Sequence, residues 1–428
     1  MGHPSRTTKK KMEQRVVITG IGAITPVGNH VADTWKNLVE GNCGIDFIKG
    51  YDEYNLPVKV AGQIKNFDQS EYELNAGLAR RSDRFCVYAM AAASDAMKDA
   101  GLVSGENVEA ERLGVYIGSG IGGMETFVNQ TKVMLEEGVG RISPFFVPMM
   151  ISNIASGNVA ISHNAQGVCL PVVTACATGT HAAGEAYRAI KHGYADAIIT
   201  GGAEASVHPL SIGGFANSKA LSRSEDPLQA SLPFSADRHG FVIAEGAGMM
   251  VFESLENALK RGAKIYAEVV GYGNSCDAHH FTAPRPDGIP ASRAIKQALD
   301  EAAFDSEKDT LYINAHGTGT PLNDAAETKA IKLAMGEEAA KRAHITSTKS
   351  ITGHMLGATG AVELIASALS LHHGVVTPTI GLTNPDPECD LNYTPNKAVE
   401  APLTVAISNS LGFGGHNACV ALRKWDGK

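Results

Sequence analysis

An α/β protein with a mainly parallel core is the fold class that the sequence predicts, on three observations. Short apolar runs stop at glycines, helical periodicities lie between those runs, and 44% of the 428 residues are hydrophobic against 19% charged. Uninterrupted apolar runs of this kind suit strands covered on both faces. Their alternation with helices is the pattern of layered α/β folds. In chain order, Val16–Thr19 leads into Gly20 and Gly22 as a first strand, and Arg84–Ala100 has helical periodicity. Gly114–Ile117 enters the glycine cluster Gly118–Gly123 as a second strand, and the apolar run Cys169–Val173 reads as a third. A helix over His181–His192 and a strand over Ala197–Thr200 follow. Beyond them come a helix over Ile289–Ala303, a strand over Leu311–Asn314, a helix over Ala325–Met335 and the apolar run Leu403–Ile407. Two internal echoes suggest duplication: Val172–Gly193 against Ile345–Gly374, both ending in His-Gly, and Arg15–Gly28 against Tyr266–Asp277. Two similar halves would place a site where their equivalent loops meet.

Lys and Arg number 37 against 45 Asp and Glu, so the formal charge is 37 − 45 = −8. This acidic balance argues against nucleic acid as the main partner. Seven cysteines without a CxxC pair predict reduced thiols in a cytoplasmic protein. The polar start carries no secretory signal, and residues 1–11 read as a leader ahead of Met12. The stretch Ile142–Gly184 has no Asp, Glu, Lys or Arg. Polar residues interrupt it too often for a bilayer span of ~20 apolar residues, so it is expected to be buried, closely packed interior, with no membrane partner.

Several segments carry side chains suited to chemistry. Gly118–Gly123 satisfies G-x-G-x-x-G after a strand and before a helix, yet lacks the acidic residue expected ~20 positions on. A tight turn is the preferred reading and a nicotinamide site the runner-up. The fifteen histidines include the pairs His279-His280 and His372-His373 but no HExxH, which gives no metal site. Cys176 sits between a strand and a helix, where the helix dipole would lower its pKa; the alternative is an ordinary buried cysteine. Asn314–Thr320 presents His316 beside glycine, and Ser347–His354 places Lys349 and His354 on one small-residue loop. Buried lysine is rare without a partner. Asn409–Asn417 flanks Phe413 with glycines, which suits a gate whose backbone helps form an oxyanion hole. A cysteine, two histidines and a lysine in such loops make a site more probable than any one of them alone.

Together the stretches TACATGT, NAHGTGTPLND, STKSITGH and NSLGFGGHN, in that order, resemble the β-ketoacyl-acyl-carrier-protein synthases. These are the condensing enzymes of bacterial type II fatty-acid synthesis, and the likeness is strongest to the synthase II group. It runs from about Val16 to Lys424 and includes GSGIGGMETF, RISPFFVP, GGAEAS and HGFVIAEGAGM. The resemblance implies a thiolase-like fold: two duplicated α/β halves in a five-layer α-β-α-β-α arrangement, residues 12–265 carrying the cysteine and 266–428 the histidines. It implies a homodimer whose partner is acyl-carrier protein, with no cofactor of its own because the substrates carry phosphopantetheine. Cys176 would take the acyl chain, and His316 and His354 would complete a Cys-His-His triad for decarboxylation of malonyl-carrier protein. Lys349 would hold the charge network, while Phe413 would gate the site and share the oxyanion hole with the Cys176 backbone. Thr318 and Thr320 would bind the pantetheine amides, and Ile121, Val147 and Phe215 would line the acyl pocket. An acidic enzyme facing an acidic carrier needs a basic rim, for which Arg80, Arg81, Arg84, Arg141 and Lys219 are candidates. The function implied is decarboxylating Claisen condensation to a β-ketoacyl-carrier protein two carbons longer. A polyketide-type ketosynthase or a non-catalytic chain-length partner is the alternative, with a ketoreductase and a thiol hydrolase further off.

Overall fold

The structure is a computed structural model that describes residues 13–427. The expected leader, 1–11, lies outside the described residues. Ten strands form one continuous sheet: β1 (Val16–Ile24), β2 (Leu113–Gly118), β3 (Cys169–Leu170), β4 (Ala197–Glu204), β5 (Gly246–Ser254), β6 (Ala267–Cys276), β7 (Leu311–Asn314), β8 (His344–Thr346), β9 (Val405–Gly412) and β10 (His416–Lys424). Their spatial order is β8-β7-β9-β10-β6-β1-β5-β4-β2-β3. Reading outward from the centre, 1-5-4-2-3 on one side repeats 6-10-9-7-8 on the other.

The repetition reaches individual residues. In the β1–β5 ladder Ile18 pairs with Phe252 and Gly20 with Val251, so Thr19 is skipped. In the β6–β10 ladder Val269 pairs with Leu422 and Gly271 with Ala421, so Val270 is skipped. The two bulges occupy equivalent positions. The parallel ladders agree, with Leu113 opposite Ala197 and Leu311 opposite Val405. The sheet is mixed rather than mainly parallel: β2, β3 and β4 run parallel, and β5 and β1 pair antiparallel beside them. Glycine-terminated apolar runs mark burial on both faces, and that does not specify strand direction.

The helices that matter for the site are α1 (Arg84–Ala100), α2 (Met124–Glu137), α3 (Ile154–Ser162), α4 (Thr178–Lys191), α5 (Pro209–Asn217), α6 (Ile289–Glu301), α7 (Pro321–Met335) and α8 (Thr359–His373). Helix α1 starts where the Asp83 carboxylate accepts from the Phe85 N–H and stops at Gly101 in the left-handed conformation. Helices α1 and α3 cover the outer face of the first strand set and α6 that of the second, where α7 packs beside α6 and adds Ala330 and Ile331 to the core cluster of Leu311, Ile313 and Ile345. Helices α4 and α8 lie between the two sets and pack on strands of both. The order is therefore helix, sheet, helix, sheet, helix, with the two sheet regions joined where β1 pairs antiparallel with β6 over three residues. Ala183, Ala186, Ile190, Ala361, Leu364, Ile365 and Ala368 pack into the central core. No helix among the described residues is long and apolar enough to cross a membrane.

Residues 142–175 depart from expectation. Residues 176–184 are buried as expected and so are Ala155 and Val159, but most of 142–175 is part-exposed or exposed rather than interior, with Val147 56% exposed, Ile161 63%, Leu170 52% and Val173 51%. Strand β3 shrinks to two exposed residues at the sheet edge. An apolar, uncharged composition signals removal from water, and a subunit interface meets that need as well as an interior does.

Candidate active site

Cys176 lies on a short 3-10 turn, Ala175–Ala177, that feeds directly into α4. Ala175 has φ +51° there, an uncommon conformation for a residue with a Cβ. The Thr178 hydroxyl, which accepts from the Thr174 N–H at 2.9 Å, braces the turn. The turn following β9 comes alongside: a Cβ added to Gly412 would lie 3.4 Å from the Cys176 nitrogen. That apposition brings Phe413 over the thiol, and left-handed Gly414 and Gly415 complete the turn.

Loops of the second strand set supply the rest. His316 follows β7, and the Glu327 carboxylate on α7 accepts from the backbone N–H groups of His316 at 2.7 Å and Gly317 at 2.8 Å. His354 is 1% exposed, with its Nδ1 3.0 Å from the Thr359 hydroxyl at the start of α8. The two imidazoles stand nearly perpendicular with centroids 5.5 Å apart. His316 Nδ1 and His354 Nε2 have no hydrogen-bond partner among the described residues. Lys349 Nζ donates to Glu363 Oε1 at 2.5 Å, so the buried lysine has the partner its burial demands.

Electrostatics follows from that burial. Desolvation holds both imidazoles well below the usual histidine range, reinforced by the Lys349 charge. Both are therefore neutral at pH 7. Burial pushes the Cys176 thiol up to about 12, although Lys349 and the Phe413 backbone pull it down. The sequence-based expectation of a lowered thiol pKa is reversed here, because removing the sulfur from water outweighs one helix terminus. Burial likewise raises Glu363 against the opposing pull of Lys349.

Cys176, His316, His354, Thr318, Thr320 and Phe413 line one cleft of about 350 Å³. The hydroxyls of Thr318 and Thr320 lie 2.9 Å apart. Phe215 sits 6.3 Å from the Phe413 ring and joins Ile121 in a hydrophobic cluster around Cys176. Val147 does not reach this cluster; it stands on the exposed face, on the short helix Phe146–Met150. Among the basic candidates, Lys219 lines the cleft and makes no ion pair among the described residues, and Arg80 and Arg81 are exposed. Arg84 is engaged by Glu125 at 2.7 Å and Glu245 at 3.7 Å, and Arg141 by Glu137 at 3.4 Å. Their charge is thus largely spent within the chain.

Sequence reading missed Glu327, Glu363 and Phe241, whose ring lies 5.2 Å from that of His354. A usable signal existed for Glu363, the sole Asp, Glu, Lys or Arg in Thr359–His373. None marked Glu327. Gly118–Gly123 is a turn held by a carboxylate: Glu204 accepts from the N–H groups of Gly120 and Ile121. Among the described residues, no group of three or more His, Cys, Asp or Glu could hold a metal.

A buried thiol, two neutral imidazoles and a buried Lys–Glu pair within a thiolase-like fold define a condensing acyltransferase. The model of the β-ketoacyl synthase N-terminal domain matches residues 13–258 and that of the C-terminal domain residues 266–383. The chain belongs to the β-ketoacyl synthase family. It is 52% identical over 413 residues to a Staphylococcus aureus 3-oxoacyl-[acyl-carrier-protein] synthase 2, covering 96% of this chain and 99% of that one. A β-ketoacyl synthase structure from Burkholderia phymatum superposes with a TM-score of 0.89 at 32% identity, covering 96% of this chain and 100% of that one. A type II polyketide ketosynthase solved with its acyl-carrier protein gives 0.88 at 34% identity, covering 97% and 100%.

Proposed function

We propose that this protein elongates fatty acyl chains by decarboxylating Claisen condensation, taking acyl and malonyl groups from acyl-carrier protein. The observation that carries the reading is the convergence of Cys176 with two neutral histidines in one cleft. In the first step the Cys176 sulfur attacks the acyl thioester carbonyl. The carbon–sulfur bond to pantetheine breaks, and the proton leaving the thiol ends on the departing pantetheine sulfur by way of a neighbouring imidazole. A thiol pushed up to about 12 is stored protonated and needs that relay. In the second step the malonyl carboxylate leaves as carbon dioxide, and the N–H groups of His316 and His354 stabilise the enolate that forms. This role requires the His354 tautomer whose Nδ1 accepts from the Thr359 hydroxyl, 3.0 Å away, and whose proton stands on Nε2. The enolate carbon attacks the Cys176 thioester, and the oxyanion rests on the backbone N–H groups of Cys176 and Phe413. Collapse breaks the carbon–sulfur bond to release the Cys176 thiolate, which becomes the thiol by taking from solvent the one proton that the condensation consumes.

Burial, reinforced by the Lys349 charge, holds the imidazoles neutral, Glu363 pairs with Lys349, Thr318 and Thr320 receive the pantetheine amides, and Ile121 and Phe215 border the acyl chain. No resident cofactor is needed for these steps. Residues 12–265 would contribute the nucleophile and 266–428 the histidines. Lys219, Arg80 and Arg81 are the cations suited to an acidic carrier protein, with Arg84 and Arg141 in lesser roles. A second copy of the chain would cover the exposed apolar face bearing Leu170 and Val173, and would give Val147 a pocket to line that its own chain does not provide. The setting is cytoplasmic. A polyketide ketosynthase is the weaker reading, since the fatty-acid relative is 52% identical and the polyketide structure 34%.

Intact-protein mass after long-chain acyl-carrier protein, then malonyl-carrier protein, tests this. An acyl adduct on Cys176 that leaves as a two-carbon-longer β-keto thioester is expected. An adduct that leaves as free acid would mean hydrolysis, and no adduct would overturn the reading.

A further inference from the structure

The register that equates the two halves also equates their loops. Cys176 and Gly357 occupy the same place: Leu356 has φ +46° where Ala175 has +51°, and each opens a 3-10 turn into a central helix. From Ala177 to Gly193 and from Ala358 to Gly374 the spacing is identical, and both begin Ala-Thr-Gly. Glu204, last residue of β4, corresponds to Gly412, last of β9. The fold therefore contains a counterpart of the Cys176–Phe413 cleft, built from Gly357 of the second half and Glu204 of the first.

That counterpart cleft is full. The Glu204 carboxylate is 0% exposed and accepts five hydrogen bonds. The donors are Ser119 Oγ at 2.9 Å, Gly120 N–H at 2.8 Å, Ile121 N–H at 3.2 Å, Ser206 Oγ at 3.0 Å and Gly357 N–H at 3.0 Å. The Gly357 N–H is the counterpart of the Cys176 N–H, so a resident carboxylate sits where an oxyanion sits in the open cleft. The packing leaves no slack: a Cβ on Gly357 would lie 2.5 Å from the Gly120 nitrogen and 2.9 Å from Glu204 Oε2.

We infer that Glu204 is a positioning residue for the condensation, a built-in anion that clamps the Gly120–Ile121 wall beside the acyl chain to the turn that follows His354. Removing it would free both loops at once and misplace His354 against the thioester. Misplacement of about 1 Å can cost ~10²-fold in rate. The groups acting on the Cys176 sulfur are the Lys349 charge and the Glu204 charge, with His316 and His354 neutral. Burial dominates the thiol, and Glu204 raises its pKa further.

The inference rests on the condensation reading, and the experiment separates the two. Single-turnover acylation and condensation are followed by mass for the parent, Glu204→Gln and Glu204→Ala, together with iodoacetamide alkylation of Cys176 against pH. A parent that fails to elongate rejects the reading itself. With an active parent, Glu204→Gln is expected to lose ~10²-fold in condensation while its alkylation profile moves to lower pH. Glu204→Ala leaves donors facing a vacated space, and added formate should restore condensation by about tenfold or more. Glu204→Gln condensing within twofold of the parent overturns the role. So does a loss with an unmoved alkylation profile and no formate rescue, or a Glu204→Gln that does not fold, each of which marks a merely structural plug.

Discussion

Strands β1–β5 and β6–β10 share an order, a bulge and a left-handed turn ahead of the central helix, yet they differ in what those turns carry. The first half places Cys176 on its turn, and the second places Gly357. The second half follows β7 with His316, where the first has Gly118 by register. The edge strands diverge too: β3 is exposed, while β8 is mostly buried. A duplicated scaffold supplies two equivalent clefts, and side-chain differences open one to substrate and fill the other. Symmetry of backbone sets the geometry; asymmetry of side chains sets the chemistry.

Four experiments would break or sharpen that contrast, taken from the largest effect downward. Cys176→Ala removes the one feature that the filled cleft cannot supply. Elongation should fall by about 10⁴-fold or more, as for other enzymes stripped of their nucleophile, with no adduct in the mass spectrum. Next, Lys349→Met leaves the Glu363 carboxylate buried without its partner, which should cost about 3–5 kcal/mol in denaturant unfolding. Replacing both Lys349 and Glu363 by apolar residues of similar volume should recover most of that stability but not condensation. Third, with the proposed second copy covering the exposed edge, Leu170→Lys should leave the fold intact and shift sedimentation toward single copies. Ile345→Lys, at the buried equivalent edge, should unfold the protein, at a cost of several kcal/mol for an unpaired buried charge.

The smallest expected effect concerns pH. Because burial holds both imidazoles well below the ordinary histidine value of 6.5, they remain neutral as pH falls through the range where an exposed histidine would gain a proton. The acid limb of condensation should therefore lie below 6.5. A limb centred at 6.5 would show that the histidines are better hydrated than their burial implies. Toward alkaline pH, alkylation of Cys176 should keep rising past 9.0, since burial moves the thiol toward about 12.

Much of this was legible in the sequence. The span Leu311–Asn314 is the strand β7, and Arg84–Ala100 is the helix α1, because glycine-bounded apolar runs and 3.6-residue periodicity are local signals. Four of the five proposed catalytic side chains were marked by chemistry-bearing residues among glycines and small neighbours, and Phe413 by the glycines around it. Glu204 and Glu327 were not. A carboxylate ending a strand or sitting mid-helix looks like any solvated charge until tertiary structure encloses it. The uncharged stretch 142–184 reads as interior throughout, which holds for 176–184 but not for much of 142–175, because composition reports apolarity and not which surface shelters it. The thiol was misjudged because a helix terminus is visible in sequence and the depth of burial is not.

The junction of β1 with β6 bears on how the chain is made. Synthesis delivers β1 through β5 by Ser254, yet α8, which covers part of the inner face of those strands, spans Thr359–His373. The ribosome must therefore add roughly a hundred further residues, about 5–20 s of translation at ~5–20 residues per second, before that apolar face can be fully sheltered. For that interval the nascent first half presents a sticky, half-clad sheet. Its most vulnerable moment comes during biogenesis, and a chaperone that holds early strands until the second half emerges would serve it better than one that refolds the finished chain.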